Sequence, residues 1–259
     1  MIIESEQELN TLRECGRKLA GVLAEVKQAV RPGTSTKELD RIAEDEIKKA
    51  GGEPVFKGYQ TRDDRCPFPA VLCVSINDEI VHGIPSEKRI LREGEIVGLD
   101  IGMRWPVGNG LITDMAVTVP VEKIFDDAKK LLVVTEESLA KGIAILKAGA
   151  RTGDLGNAIQ SYLESYGFGV VRELVGHGVG KKLHEEPFVP NFGRRGAGKK
   201  FVEGEVIAIE PMATMSGNYA IRLDADGWTF KTADKSLAAH FEHTVIILKD
   251  SAEVLTRVR

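Results

Sequence analysis

Two histidines seven residues apart, His177 and His184, lie in the stretch VGHGVGKKLHEEP (175–187). Glycines surround the first; two acids and a proline follow the second. The zinc signature H-E-x-x-H does not apply, because the residue four places after His184 is Phe188. Nor does a phosphate-cradling loop G-x-x-x-x-G-K-[ST], since Lys182 stands where Ser or Thr is required. The chemistry of these histidines therefore depends on what the rest of the chain brings to them.

Four acids occupy unusual positions. Asp100 lies in IVGLDIG, Asp114 in LITDMAV and Glu210 in VIAIEPM, while Glu242 in HFEHTVII opens an apolar, β-rich run. A buried carboxylate without a partner is costly and tends to take up a proton. A single acid beside a strand is commonly a turn residue or an arginine partner. Four at corresponding positions would repel one another unless a bound cation sits among them. Carboxylates suit hard or borderline divalent ions, and one imidazole shifts the preference toward Mn, Fe, Co or Zn. His177 is the natural nitrogen donor. Five ligands with four negative charges exceed the needs of one zinc ion and suit two metals about 3.5–4 Å apart that share bridging carboxylates. Such a pair activates a water and polarises a carbonyl, which is the chemistry of amide hydrolysis.

The elements that position these residues form a hidden repeat. Ser5 with Glu8 reads as a capping box, and Leu9, Leu12, Cys15, Leu19, Val22 and Val26 recur at helical spacing. Ser35 with Glu38 starts a second helix, closed by Gly51. A helical stretch from about Asp126 to Lys147 and a shorter one with Leu155 and Leu163 follow the same pattern. Gly33, Thr36, Leu39 and Gly51 correspond to Gly149, Thr152, Leu155 and Gly167, each 116 residues further on. EGEIVGLD (93–100) corresponds to EGEVIAIE (203–210), so Asp100 matches Glu210, and Asp114 matches Glu242. The expected architecture is α+β: one catalytic domain spanning 1–259 and made of two pseudo-symmetric halves, about 1–120 and 121–259. A curved, mainly antiparallel sheet carries helices on one face and leaves a cleft on the other.

Bulk properties narrow the function. A length of 259 residues permits a sizeable core. A net charge of −4 gives no electrostatic case for nucleic acid or an anionic membrane. The three sparse cysteines, Cys15, Cys66 and Cys73, fit a reduced, intracellular protein. The N-terminus turns polar by residue 4, so no signal peptide is expected, and no apolar run is long enough to span a membrane. The expected compartment is the cytoplasm.

Taken together, VSINDEIVHGIP (74–85), LDIG (99–102), TDMAVTV (113–119), GHGVGKKLHEEP (176–187), IAIEPM (207–212), DGWTFKT (226–232) and HFEHTV (240–245) resemble the type I methionine aminopeptidases. The resemblance runs from the first helix to the last strand and implies the pseudo-two-fold "pita-bread" fold. It also implies removal of N-terminal methionine from nascent proteins and peptides with a small second residue, a metal-bridging water or hydroxide attacking the first peptide bond. The implied cofactors are two divalent ions (Co, Mn, Fe, Zn or Ni). Asp100 would be the bidentate ligand of one metal, Asp114 and Glu242 the bridging pair, and His177 and Glu210 ligands of the other. Glu210 would also shuttle the proton of the nucleophilic water. His184 would hydrogen-bond the scissile carbonyl or tetrahedral intermediate, and His82 would bind the substrate backbone across the cleft. Tyr59, Phe68, Cys73, Leu183 and Trp228 would line a pocket for the thioether. His240 and His243 flank Glu242, point to alternate faces of a strand, and are expected to be supporting or structural. The glycines around His177 would let backbone approach metal and substrate closely. The implied partners are nascent polypeptides with N-terminal Met, met at the ribosome, with no nucleic acid or membrane; the enzyme is expected to be a monomer.

Some segments depart from the family pattern. Gln60–Pro67 and Met103–Leu111 are longer than expected, and both are expected beside the cleft. Phe56 stands where a small Cys is common, and Leu183 where an aromatic is common. Two rival readings are an Xaa-Pro-type aminopeptidase, which would carry a large extra N-terminal domain, and a non-catalytic relative that binds nascent chains or nucleic acid, which would have lost metal ligands.

Overall fold

The computed structural model describes residues 1–62 and 64–257. Four helices are present among them: α1 Glu6–Gln28, α2 Thr36–Lys49, α3 Asp126–Ala144 and α4 Thr152–Ser165. Ser5 caps α1 by accepting the Glu8 N–H at 3.2 Å, and Ser35 caps α2 by accepting the Glu38 N–H at 3.1 Å. The expected capping box at α1 closes one residue early, because the Glu8 carboxylate accepts the N–H of Glu4 at 2.8 Å. The repeat is visible in the backbone. Gly33 and Gly149 adopt φ of 91° and 89°, and Gly51 and Gly167 adopt 75° and 82°. These are left-handed conformations that favour glycine, which explains why glycine recurs at these turns.

The main sheet has nine strands and is antiparallel throughout. At its centre Ile96–Trp105 pairs with Leu111–Pro120 over their full length. Leu111–Pro120 then meets Glu242–Ile247, which pairs with Val206–Ile209, and beyond it lie Gly176–Gly178 and Glu185–Val189. The strand order is thus mirrored about the junction where Glu242 faces Ala116 and His243 faces Met115. Asp114 and Glu242 stand on the two strands that meet at this junction, and Asp100 and Glu210 belong to the next strand out on either side, Glu210 just past its strand's end.

Period-two alternation explains why the acids share a face. Val97, Leu99, Ile101 and Met103 pack with Leu19, Leu23, Leu39 and Ile47 of α1 and α2. Ile207, Ile209, Val245 and Ile247 pack with Leu131, Leu155, Ile159 and Leu163 of α3 and α4. The residues between them, including Asp100, Asp114 and Glu242, point to the other side. There a third apolar cluster, with Phe56, Phe68, Cys73, Leu183 and Trp228, forms the walls of a cavity. A small sheet of Glu79–Val81, Phe230–Thr232 and Ile221–Leu223 ties the two halves over this face.

The Met103–Leu111 extension does not border the cavity. It lengthens the central hairpin, whose tip sits beside the start of α1, with Lys18 Nζ 5.3 Å from the Trp105 ring centroid. Of the other long segment, Asp63 lies outside the described residues; Tyr59 and Phe68 at its flanks line the cavity, whereas its described residues do not.

Candidate active site

Asp100 sits on Ile96–Trp105, Asp114 on Leu111–Pro120 and Glu242 at the start of Glu242–Ile247, while Glu210 directly follows Val206–Ile209. His177 lies on Gly176–Gly178, opposite Ala208. All five line one cavity of about 390 Å³. One donor atom from each of Asp114, His177 and Glu242 falls within 4.8 Å of the others. His177 Nε2 is 3.6 Å from Glu210 Oε1 and 3.9 Å from Asp114 Oδ2. These separations are too long for hydrogen bonds.

The local electrostatics call for a cation. Asp100 Oδ1, Asp114 Oδ1 and Glu242 Oε1 are buried without a hydrogen-bond partner. Burial, then mutual repulsion, holds Asp100, Glu210 and Glu242 well above the ordinary carboxylate range. Burial lifts Asp114 to about 7. Burial pushes His177 down to about 3, so its imidazole is neutral and available as a donor. Its Nδ1 lies 2.9 Å from the Gly178 carbonyl, which fixes the ring and leaves Nε2 facing the acids. Orphaned carboxylate oxygens around one neutral imidazole fit a divalent metal centre of oxygen and nitrogen donors.

The glycines around His177 have another purpose than the one expected from sequence. A Cβ at Gly176 would lie 2.4 Å from the Ala208 carbonyl oxygen, and one at Gly178 would lie 2.2 Å from that of Glu186. They admit neighbouring backbone, not substrate, and so let the His177 strand nest between its partners.

The other singled-out side chains meet in the same cavity. His184 stands at the mouth, with Nδ1 2.5 Å from the Tyr59 hydroxyl and its ring centroid 4.3 Å from that of His177. His82 packs edge-on to Trp228 and Phe230, both at 5.9 Å, and its buried Nδ1 has no partner. His82 adopts φ +59°, a left-handed conformation uncommon outside glycine. Burial lowers its pKa to about 4, so it too is neutral. Phe68 meets Trp228 at 5.3 Å, and Trp228 Nε1–H donates to the Cys66 carbonyl at 3.0 Å. Cys73 pairs in register with Asp100, which puts its buried thiol on the cavity wall beside that acid. Leu183 completes the lining named from sequence; Phe56, Val81, Leu174 and Met212 extend it without a motif to reveal them. His243 turns away and bonds Thr256 Oγ1 at 2.9 Å. His240 does not turn away: its Nε2 is 3.7 Å from Glu210 Oε2.

A sheet mirrored about its centre, with buried acids and a neutral histidine at its waist, is the arrangement of a pita-bread metallopeptidase. Residues 10–249 match metallopeptidase family M24, and the chain belongs to that family. Methionine aminopeptidase 1 of Bacillus subtilis is 47% identical over 258 residues, covering 100% of both chains. The crystal structure of methionine aminopeptidase from Thermotoga maritima superposes with a TM-score of 0.92 at 40% identity, covering 99% of this chain and 100% of that one. A prolidase from Pyrococcus horikoshii shares the fold alone, with a TM-score of 0.76 at 21% identity, and this chain spans 64% of its length. No helix among the described residues is long and apolar enough to cross a membrane.

Proposed function

We propose that this chain is a metal-dependent aminopeptidase that removes N-terminal methionine from peptides and nascent proteins and prefers a small second residue. One observation carries the reading: an apolar cavity ends on buried carboxylates whose oxygens have no partner in the protein. The full-length likeness to methionine aminopeptidases supports the substrate.

Asp100, Asp114, His177, Glu210 and Glu242 would hold two divalent ions. When bound, these supply an activated water and polarise the scissile carbonyl. Glu210 would accept the proton of that water and return it to the leaving amine. His184 meets the reacting carbonyl with the ring nitrogen that Tyr59 leaves free. His82, through its unpartnered Nδ1, binds the peptide backbone on the leaving-group side. Both histidines are neutral at neutral pH, so they hydrogen-bond without repelling the cations. Phe68, Trp228, Cys73, Tyr59 and Leu183 enclose the thioether, and Phe56 narrows the space beside Gly102. The same reading makes the enzyme a cytoplasmic monomer that meets its substrates as they leave the ribosome.

The test is methionine release from Met-Ala-Ser and Met-Arg-Ser peptides by metal-stripped protein before and after addition of each divalent ion. Metal-dependent cleavage of the first peptide alone supports the proposal. Equal cleavage of both would remove steric exclusion at the second position, and cleavage by fully stripped protein would remove the metal.

A further inference from the structure

His240 is 2% exposed, and its Nε2 is buried with no hydrogen-bond partner. That nitrogen lies 3.7 Å from Glu210 Oε2 and 3.9 Å from Glu242 Oε2. His177 Nε2 stands in the same relation to the other oxygen of Glu210, at 3.6 Å, and to Asp114 Oδ2, at 3.9 Å. Glu210 therefore presents each of its oxygens to an imidazole nitrogen. Neither pair of distances is a hydrogen bond. Two donors that share one cation at about 2.0–2.2 Å lie about 3.0–3.9 Å apart for angles between about 90° and 135°. The His240 contacts fall in that range.

The backbone holds His240 in place. Its N–H donates to Thr118 Oγ1 at 2.8 Å, and its carbonyl accepts from the same hydroxyl at 2.9 Å. Its strand, Ala238–His240, pairs with Met212–Thr214, two residues beyond Glu210, with Met212 opposite His240. The clamp fixes the backbone from which the ring projects toward the acids, and the buried Nε2 of that ring finds no partner in the protein.

We propose that His240 Nε2 is a further protein ligand of the metal centre, acting with Glu210 and Glu242, so that the centre carries two imidazole donors. The inference rests on the five-residue centre argued above. A second nitrogen donor moves the preference of the site away from Mn and toward Co, Ni and Zn.

The test is X-ray absorption of the cobalt-loaded wild-type protein, which counts coordinated imidazoles without reference to activity, alongside cobalt and manganese titration calorimetry. The expected count is two imidazoles per protein in the wild type, one in His240→Gln and one in His177→Ala. Cobalt affinity of His240→Gln should fall about 10–100-fold, with a smaller loss for manganese. His240→Asn is a second variant should His240→Gln fold poorly, and the wild-type count needs no variant at all. One imidazole in the wild type, lost in His177→Ala and kept in His240→Gln, overturns the role of His240 and leaves the centre standing. Failure of the wild type to retain cobalt overturns the centre itself.

Discussion

Asp114 and Thr244 exchange two hydrogen bonds across the junction of the halves. The Asp114 N–H donates to Thr244 Oγ1 at 2.8 Å, and that hydroxyl donates to the Asp114 carbonyl at 2.7 Å. Both residues are buried, and Asp114 and Glu242 stand on the two strands so joined. One hydroxyl thereby fixes the spacing of two carboxylates from opposite halves.

Thr244→Val keeps the shape and leaves a buried N–H and carbonyl unpaired. Stability should fall by about 1–3 kcal/mol in denaturant unfolding, and metal affinity should weaken. Thr244→Ser should restore most of both. An unaltered unfolding midpoint in Thr244→Val would show that the clamp carries no energy.

His177 and His184 should fail differently when replaced. His177→Ala removes a nitrogen donor from the acids, so it should bind less metal, and added metal should recover part of its activity. His184→Ala leaves the donors intact. Its metal content should be normal and its turnover lower by about 10²–10³-fold, without rescue by metal. Calorimetric titration followed by steady-state kinetics distinguishes the two. Loss of metal from His184→Ala in place of His177→Ala would reverse their roles.

The stripped protein should become less stable as pH rises from 6.5 to about 8. In this window the folded chain gives up the proton that Asp114, raised to about 7, still holds at its lower end, and burial with mutual repulsion keeps Asp100, Glu210 and Glu242 well above the ordinary carboxylate range. The unfolded chain has already released these protons, so the slope of unfolding free energy with pH is negative. Below the ordinary histidine value of 6.5 the slope opposes this. His177, His240 and His82 stay neutral when folded and charge when unfolded, which costs stability as pH falls. Saturating divalent metal should flatten the alkaline limb, because it replaces the protons. Thermal melts of stripped and loaded protein across this range give the answer; a stripped protein that gains stability from 6.5 to about 8 would refute proton sharing among the acids.

Trp228 Nε1–H on the Cys66 carbonyl ties the long 60–67 segment to the cavity wall. Shortening residues 60–65, of which Asp63 lies outside the described residues, should loosen Trp228 and Phe68 and raise KM several-fold. Metal content should not change, since none of the segment's described residues lines the cavity. Loss of metal from a folded deletion variant would contradict this.

Much of the site was legible in one dimension because its signals are local. Acids in apolar strands violate the burial rule at a known parity, so their shared face follows from period two. The caps at Ser5 and Ser35 and the left-handed turns at Gly33, Gly51, Gly149 and Gly167 are written in residue type. What those signals omit is the neighbour. Gly176 and Gly178 read as room for a ligand, but the atoms they make room for belong to strands at 208 and 186, distant in sequence. The 103–111 extension read as a cleft wall, yet strand pairing carried it to the far end of a hairpin.

The histidines mark the limit most clearly. Sequence distinguished His240 from His243 by parity alone, and structure gave them opposite surroundings: His240 at Glu210, His243 at Thr256. The Tyr59–His184 contact joins residues 125 positions apart, and the packing of His82 on Trp228 requires a small sheet built from both halves. Residue type and spacing determined which groups could do chemistry and which face they share, because those follow from the covalent geometry of a strand. Tertiary structure alone decided which groups touch, because register and the approach of distant segments are set by the packing of the whole core.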